Sequence, residues 1–240
     1  MARKYAGDSQ TGTDMSRLMT YAFLLSAVCL FGCGCRPSNP SSSISPTVWQ
    51  VDNLRTIGGQ KTTVLGSPKV IQTEIGAAVE FDGVGDGLLV EALPLAGARE
   101  FTLEIIFRPH PKGPKEQRFL HLQEAGSESR ILIETRLTQD GRWYLDTYIH
   151  TAKANKALFD PAKTHAVGKW YNATLVYDGR QMRHYVNAVE EMSGALDFTP
   201  LGEGKTSIGV RMNQVFWFKG AVQKVRFTNQ ALQPRQFLRP

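Results

Sequence analysis

From Val48 to the C-terminus the chain alternates apolar and polar residues at every second position, a spacing that fits strands rather than helices. FTLEIIFRP sets Phe101, Leu103, Ile105 and Phe107 on one side and Thr102, Glu104, Ile106 and Arg108 on the other. RWYLDTYIH sets Trp143, Leu145, Thr147 and Ile149 against Arg142, Tyr144, Asp146, Tyr148 and His150. AAVEF, GLLVEA, RFLHLQ, RILIETR, TSIGV and KVRFT read as further strands. Asp-Gly pairs at 82–83, 86–87, 140–141 and 178–179 supply the turn chemistry between them. Many short strands at this spacing predict an all-β fold, two antiparallel sheets closed on one core. Only ALQPRQF, near the C-terminus, reads as a turn of helix. Val222, Val225 and Phe227 share a face only if a bulge falls near Gln223-Lys224.

The first residues follow another rule. Arg17 precedes LMTYAFLLSAVCLF, an apolar run that suits the hydrophobic part of an export signal and is short for a membrane span. It ends in Leu30-Phe31-Gly32-Cys33, which is similar to a bacterial lipobox, although Phe31 is bulkier than usual at its position. A lipobox implies that Cys33 is lipidated and becomes the new N-terminus; a plain membrane anchor or a non-lipidated signal is the alternative. Met15 would start a more compact signal than Met1. RPSNPSSSISPT, 36–47, reads as an extended tether. The expected organisation is therefore a signal over 1–32, a Ser/Pro-rich tether over 33–47 and a β-sandwich over 48–240. The expected place is the bacterial cell envelope, with the protein held at the membrane through its lipid. All three cysteines (29, 33 and 35) precede the sandwich, so packing rather than disulfides must stabilise it.

The formal charge is +6. Setting aside Arg3, Lys4 and Arg17 against Asp8 and Asp14 leaves 25 basic and 20 acidic groups spread along the rest. That balance favours solubility and gives no nucleic-acid footprint. The densest basic stretch, HPKGPKEQR at 110–118, is broken by two prolines and reads as a loop.

FDGVGDGLLV, FTLEIIFRP, KWYNATLVYDGRQMRHYVNAVEE and TSIGVRMNQVFWFKGAVQKVRFTNQAL follow one another between residues 81 and 232. Their order and spacing resemble the laminin G-like, concanavalin A-like jelly rolls of bacterial surface proteins. The resemblance implies a jelly-roll β-sandwich with one outwardly concave sheet. Asn187-Ala188 stands where the family usually has Asn-Gly, Gln223 where it usually has an acid, and His184 where it usually has an aliphatic residue. Relatives hold calcium near loops that join the sheets, and Asp82 and Asp86 are the acidic loop pair here that suits Ca2+; Asp-Gly is also what a plain turn requires. Laminarinase-type glucanases of this fold carry Glu-x-Asp-x-(x)-Glu on one strand. Glu80-Phe81-Asp82 begins that pattern, but Val84 and Gly85 occupy the place of the third acid.

No catalytic set is therefore assigned. Glu104 and Asp146 would form a carboxylate pair if their strands met, as glycoside hydrolysis needs; neutralisation by Arg108 and Arg183 is the competing reading. Histidines at 110, 121, 150, 165 and 184 lack metal-ligand spacing. In KWYNATLVYDGRQMRHYVNAVEE, Tyr171, Ala173, Leu175 and Tyr177 form one core stripe and Met182, His184 and Val186 another. If strands 101–108, 142–150, 170–177 and 181–187 are neighbours, one outward face joins Glu104, Arg108, Tyr144, Asp146, Tyr148 and His150 to Asn172, Arg183 and Tyr185. Rings beside hydrogen-bonding side chains suit a sugar's C–H faces and hydroxyls. Trp217 would sit near the rim. Three functions remain open: non-catalytic binding of carbohydrate such as a cell-surface glycan, a structural or protein-interaction role, and glycan hydrolysis.

Overall fold

Period-two patterning becomes strands almost throughout the computed structural model, which describes residues 45–240. The signal over 1–32, Cys33 and the tether up to residue 44 lie outside the described residues. In chain order the strands are β1 (Thr47–Gln50), β2 (Thr56–Ile57), β3 (Gln60–Leu65), β4 (Lys69–Thr73), β5 (Gly76–Asp82), β6 (Gly87–Val90), β7 (Phe101–Pro109) and β8 (Glu116–Glu124). They continue with β9 (Arg130–Leu137), β10 (Trp143–His150), β11 (Asn155–Phe159), β12 (Tyr171–Tyr177), β13 (Gln181–Val186), β14 (Val189–Ala195), β15 (Gly204–Ile208) and β16 (Lys219–Thr228). The expected turn of helix appears as a short 3-10 segment, Pro234–Gln236.

The strands form two antiparallel sheets. Sheet I runs β14-β13-β12-β7-β16-β5-β4, with β1 also paired to β16; sheet II runs β11-β10-β9-β8-β15-β6-β3-β2. Phe101, Leu103, Ile105 and Phe107 of sheet I are fully buried, as are Phe119, Leu122, Ile131 and Ile133 of sheet II. Phe107 joins the layers: its ring stacks on Phe119 at 4.4 Å and meets Trp143 edge-on at 5.2 Å. Burying side chains of this size contributes roughly 1.5–3 kcal/mol each, before the entropy of ordering the chain is set against it.

Local irregularities serve the same core. Between Val222 and Lys224 the pairing with β7 shifts by one residue, so Val222, Val225 and Phe227 all reach the interior. Both residues of the β13–β14 turn are left-handed, Asn187 at φ 48° and Ala188 at φ 67°. The turn thus keeps the geometry of an Asn-Gly hairpin with alanine in glycine's place. The two stripes of the 169–191 stretch do face the core, His184 included.

Candidate functional site

RILIETR shows how β9 builds a polar outer face: Ile131, Ile133 and Thr135 are buried beneath it, and Arg130, Leu132, Glu134 and Arg136 occupy the outward positions. On one side of it lies β10, whose Tyr148 pairs with Leu132 and Asp146 with Glu134. On the other lies β8, where a register shift between Arg118 and Leu120 sends both Phe119 and Leu120 to the core. That bulge leaves Arg118 and His121 on the outward side despite their odd spacing. Beyond β10, β11 adds the half-exposed ring of Phe159 opposite Asp146.

The loop between β15 and β16 completes this face. It starts at Gly209, whose φ of 85° and contact with the Phe81 ring leave no room for a Cβ. Gln214 and Phe216 are left-handed without being glycine, so the loop conformation is imposed by its contacts. Met212 N donates to His121 Nδ1 at 2.9 Å, and Arg118 N donates to Phe216 O at 2.9 Å. The Arg118 guanidinium lies 3.6 Å from the centre of the Phe216 ring. These anchors bring Arg211 to the edge of an open cleft of about 330 Å³, with Arg118, Arg130, Arg136, Tyr148 and Phe159 among its other walls.

Charges in the cleft are dense and unevenly paired. Arg136 Nε donates to Asp146 Oδ2 at 2.6 Å, and its Nη1 lies 2.9 Å from Glu116 Oε1. Arg118 reaches Glu116 at 3.2 Å; its Nε is 3.1 Å from Glu134 Oε2 without the alignment of a hydrogen bond. Burial, with the charge of Asp146 added, pushes the Glu134 carboxyl up to about 7 despite Arg118 and Arg136. Burial likewise raises Asp146, against the pull of Arg136. Burial and three nearby arginines push His121 down to about 3, so its ring is neutral. Since Nδ1 accepts from Met212, the remaining ring proton sits on Nε2, which is buried without a partner.

Tyr144, Asp146, Tyr148 and His150 all lie on this outer face of sheet II. Tyr148 and Asp146 line the cleft itself, and the Arg130 guanidinium stands 5.2 Å from the Tyr148 ring centre. His150 is nearly parallel to Tyr148 at 6.3 Å, and its Nδ1 donates to the Glu128 carbonyl at 2.9 Å. Tyr144 belongs to a separate hollow beside Lys112 and Lys115.

The other five expected residues are not there. Glu104, Arg108, Asn172, Arg183 and Tyr185 belong to sheet I, on the opposite side of the molecule, because β10 pairs with β9 and β11 and never with β7 or β12. The expected single face joining all nine residues is thus corrected to two separate faces, and Glu104 cannot pair with Asp146. Most of the sheet I group is structural. Arg226 pairs with Glu104, which is fully buried and accepts from Leu238 N at 2.6 Å. Asn172 Nδ2 donates to Leu238 O at 2.6 Å, and Tyr185 packs edge-on against Phe237 at 5.1 Å. The C-terminal segment therefore covers Glu104, Asn172 and Tyr185. Arg183 is held by Asp178 at 2.6 Å, while Arg108 pairs with Glu74 at 3.6 Å and lies over Trp170 at 4.8 Å. The neutralising arginines are accordingly Arg226 for Glu104 and Arg136 for Asp146, not Arg108 and Arg183.

Asp82 and Asp86 are both engaged in the turn that they flank. Asp82 Oδ1 accepts from the amides of Val84, Gly85 and Asp86, and Asp86 accepts from Ser67 N at 2.7 Å and Asp82 N at 3.2 Å. Those amides outweigh burial and hold the Asp82 carboxyl below its ordinary value. Both carboxylates close the turn, and among the described residues no group of three His, Cys, Asp or Glu is placed to hold a metal. Trp217 is half-buried, with its ring against Gly87.

Arg118, Arg130, Glu134, Arg136, Phe159 and Arg211 were not singled out by their sequence pattern. For β9 a signal existed: Arg130, Glu134 and Arg136 share one parity in RILIETR. For Arg211, set in a loop by contacts distant in sequence, none did.

Several solved structures share the fold. Domain 4 of AbnA, an extracellular GH43 arabinanase from Geobacillus stearothermophilus solved with arabinotriose, superimposes with a TM-score of 0.60 at 17% identity, over 79% of this chain and 94% of that one. The binding domain of botulinum neurotoxin DC, in complex with SialylT, gives 0.59 at 10% identity over 80% and 49%. The receptor-binding domain of botulinum neurotoxin D gives 0.58 at 15% identity over 80% and 50%. The chain thus spans about half the length of the neurotoxin domains. A direct comparison with curated protein sequences returns no match. Residues 82–236 match the laminin G model described as the concanavalin A-like lectin/glucanases superfamily, and the chain belongs to that family.

Proposed function

We propose that this protein binds carbohydrate without cleaving it, on the outer face of sheet II, while a lipid on Cys33 holds it at the bacterial cell envelope. The observation that carries the reading is the placing of the Tyr148 ring at the wall of a cleft crowded with fixed donors and acceptors. An apolar ring face beside oriented guanidinium and carboxylate groups matches the mixed surface of a sugar. Support also comes from neighbours of the same fold: the arabinanase domain was solved with arabinotriose, and botulinum neurotoxin type C depends on two ganglioside molecules for cell entry. A glycan array probed with the full chain and with Tyr148→Ala tests it. Specific binding that drops in the variant is expected; binding that persists unchanged would remove the assignment of this face. Incorporation of labelled fatty acid, lost in Cys33→Ala, tests the anchor separately.

One observation favours hydrolysis as a second reading. Glu134 and Asp146 stand directly opposite on adjacent strands, and Glu134 is pushed up to about 7, a value suited to a proton donor. Against it, both carboxyls are almost fully buried, and Arg136 occupies the Asp146 oxygen. They are better placed to fix arginines than to reach a glycosidic bond. Turnover of a polysaccharide that disappears in Glu134→Gln would establish the hydrolase instead.

A further inference from the structure

The four arginines of the cleft are more than its carboxylates hold. Arg136 is held by Asp146 at its Nε and by Glu116 at its Nη1. Arg118 shares Glu116 with Arg136, and its buried Nε faces Glu134 Oε2 at 3.1 Å without the alignment of a hydrogen bond. Arg130 has a single carboxylate partner, the exposed Glu128 at its Nη1, which also lies 3.5 Å from His150 Nδ1; its buried Nε makes no hydrogen bond. Arg211 makes no ion pair and no side-chain hydrogen bond among the described residues, although it is half-buried. Burial and the like charges of Arg130 and Arg118 hold the Arg211 guanidinium below its ordinary range, so the protein itself destabilises this cation.

Unused N–H groups on clustered, partly desolvated guanidiniums are satisfied by an oxyanion. Arginine's planar fork fits a carboxylate or a sulfate far better than a neutral hydroxyl. A cleft of about 330 Å³ lies at the small end of ligand sites and suits one or two sugar units. We propose that the saccharide bound here is anionic, with its carboxylate or sulfate group seated on the unpaired guanidinium of Arg211, in the positive field of Arg118 and Arg130 beside it. The inference rests on the carbohydrate reading above and adds the charge of the ligand to it. Tyr148 takes the apolar face of the sugar, while the unpaired arginine selects the acid.

Affinity electrophoresis of the full chain would decide the matter, using polygalacturonate, its fully methyl-esterified form, dextran sulfate, dextran and polyglutamate. Retardation by polygalacturonate or dextran sulfate is expected, each over its neutral counterpart, and the stronger of the two identifies the acid group. Arg211→Met should weaken the favoured interaction roughly 10- to 100-fold, the scale of a lost charged hydrogen bond. Arg211→Lys, which keeps the charge but loses the fork, should fall between. Equal retardation by the neutral polymers, with Tyr148→Ala still disruptive, would overturn the anion while leaving carbohydrate binding intact. An unchanged Arg211→Met with a native thermal transition would also overturn it. Polyglutamate bound as tightly as any sugar, or no retardation by any polymer, would overturn both readings.

Discussion

Thr147 Oγ1 and His184 Nδ1 lie 3.0 Å apart in the interior, one on β10 and the other on β13, so a buried hydrogen bond ties sheet II to sheet I. Burial pushes the His184 imidazole down to about 4. Its folded pKa is thus below the ordinary 6.5, and the unfolded chain takes up the proton first as pH falls. Stability should be unaffected by this group above about 6.5 and should be lost progressively toward 4, by roughly 3 kcal/mol in all. His121, lowered to about 3, acts in the same direction. Urea midpoints at about pH 7 and about pH 4.5 check this. The pair His184→Leu with Thr147→Val removes both polar groups together and should flatten the dependence, leaving the His121 share.

The location of His184 in the core was legible from parity alone, because residues two apart in a strand share a face. So were the bulge before Lys224 and the inward stripes of β7, β10 and β12. Parity does not say which sheet a strand joins. β7 and β10 present similar patterns, yet pair into opposite sheets, which is why Glu104 and Asp146 had to be separated. Pairing depends on contacts distant in sequence, such as Asp146 with Phe159 on one side and Glu134 on the other. The C-terminal cover over Tyr185 is of the same kind: nothing near residue 185 announces Phe237.

Ala188 carries a conformation that suits glycine. Left-handed backbone costs an L-residue about 1–2 kcal/mol, while glycine adds freedom to the unfolded chain. The Ala188 methyl also packs near Val176, Tyr185 and Phe237, and that contact would be lost. The net effect of Ala188→Gly should be a gain of about 0.5 kcal/mol, a rise in Tm of roughly 1–2 °C. A thermal melt that moves down instead would show the methyl contact to outweigh the strain.

Glu104 is fully buried, and Arg226 is its ion-pair partner. Burial raises its carboxyl despite Arg226 and the Leu238 amide. Arg226→Met would leave the carboxylate unpaired and should cost about 3–5 kcal/mol near neutral pH. It also removes the contact from Arg226 Nη2 to Gln236 O at 2.7 Å, so the C-terminal segment should become sensitive to protease. Glycan binding should be unchanged in the folded fraction, and likewise in Tyr185→Phe, since sheet I faces away from the cleft. A loss of binding in Tyr185→Phe, with stability retained, would return the site to sheet I.

Glu134 provides the converse pH dependence, and it lies in the cleft itself. The groups around it are Arg118 and Glu116 on β8, Arg136 on β9 and Asp146 on β10; burial and the two acids raise its carboxyl to about 7, and the two arginines oppose them. The folded protein therefore keeps a proton on Glu134 that the unfolded chain releases near 4.5. Its contribution is fully present below about 4.5 and is lost as pH rises through 7. Glutamine resembles the protonated form, so Glu134→Gln should match the wild type near pH 4 and exceed it by roughly 3 kcal/mol near pH 8. The same ionisation adds a negative charge beside Arg118 just where an acidic glycan is proposed to dock. Affinity for that glycan should fall several-fold between about pH 6 and about pH 8, and Glu134→Gln should abolish the fall. Calorimetric titrations of both proteins at the two pH values check this. A pH dependence that survives in Glu134→Gln would place the responsible group elsewhere and separate the stability effect from binding.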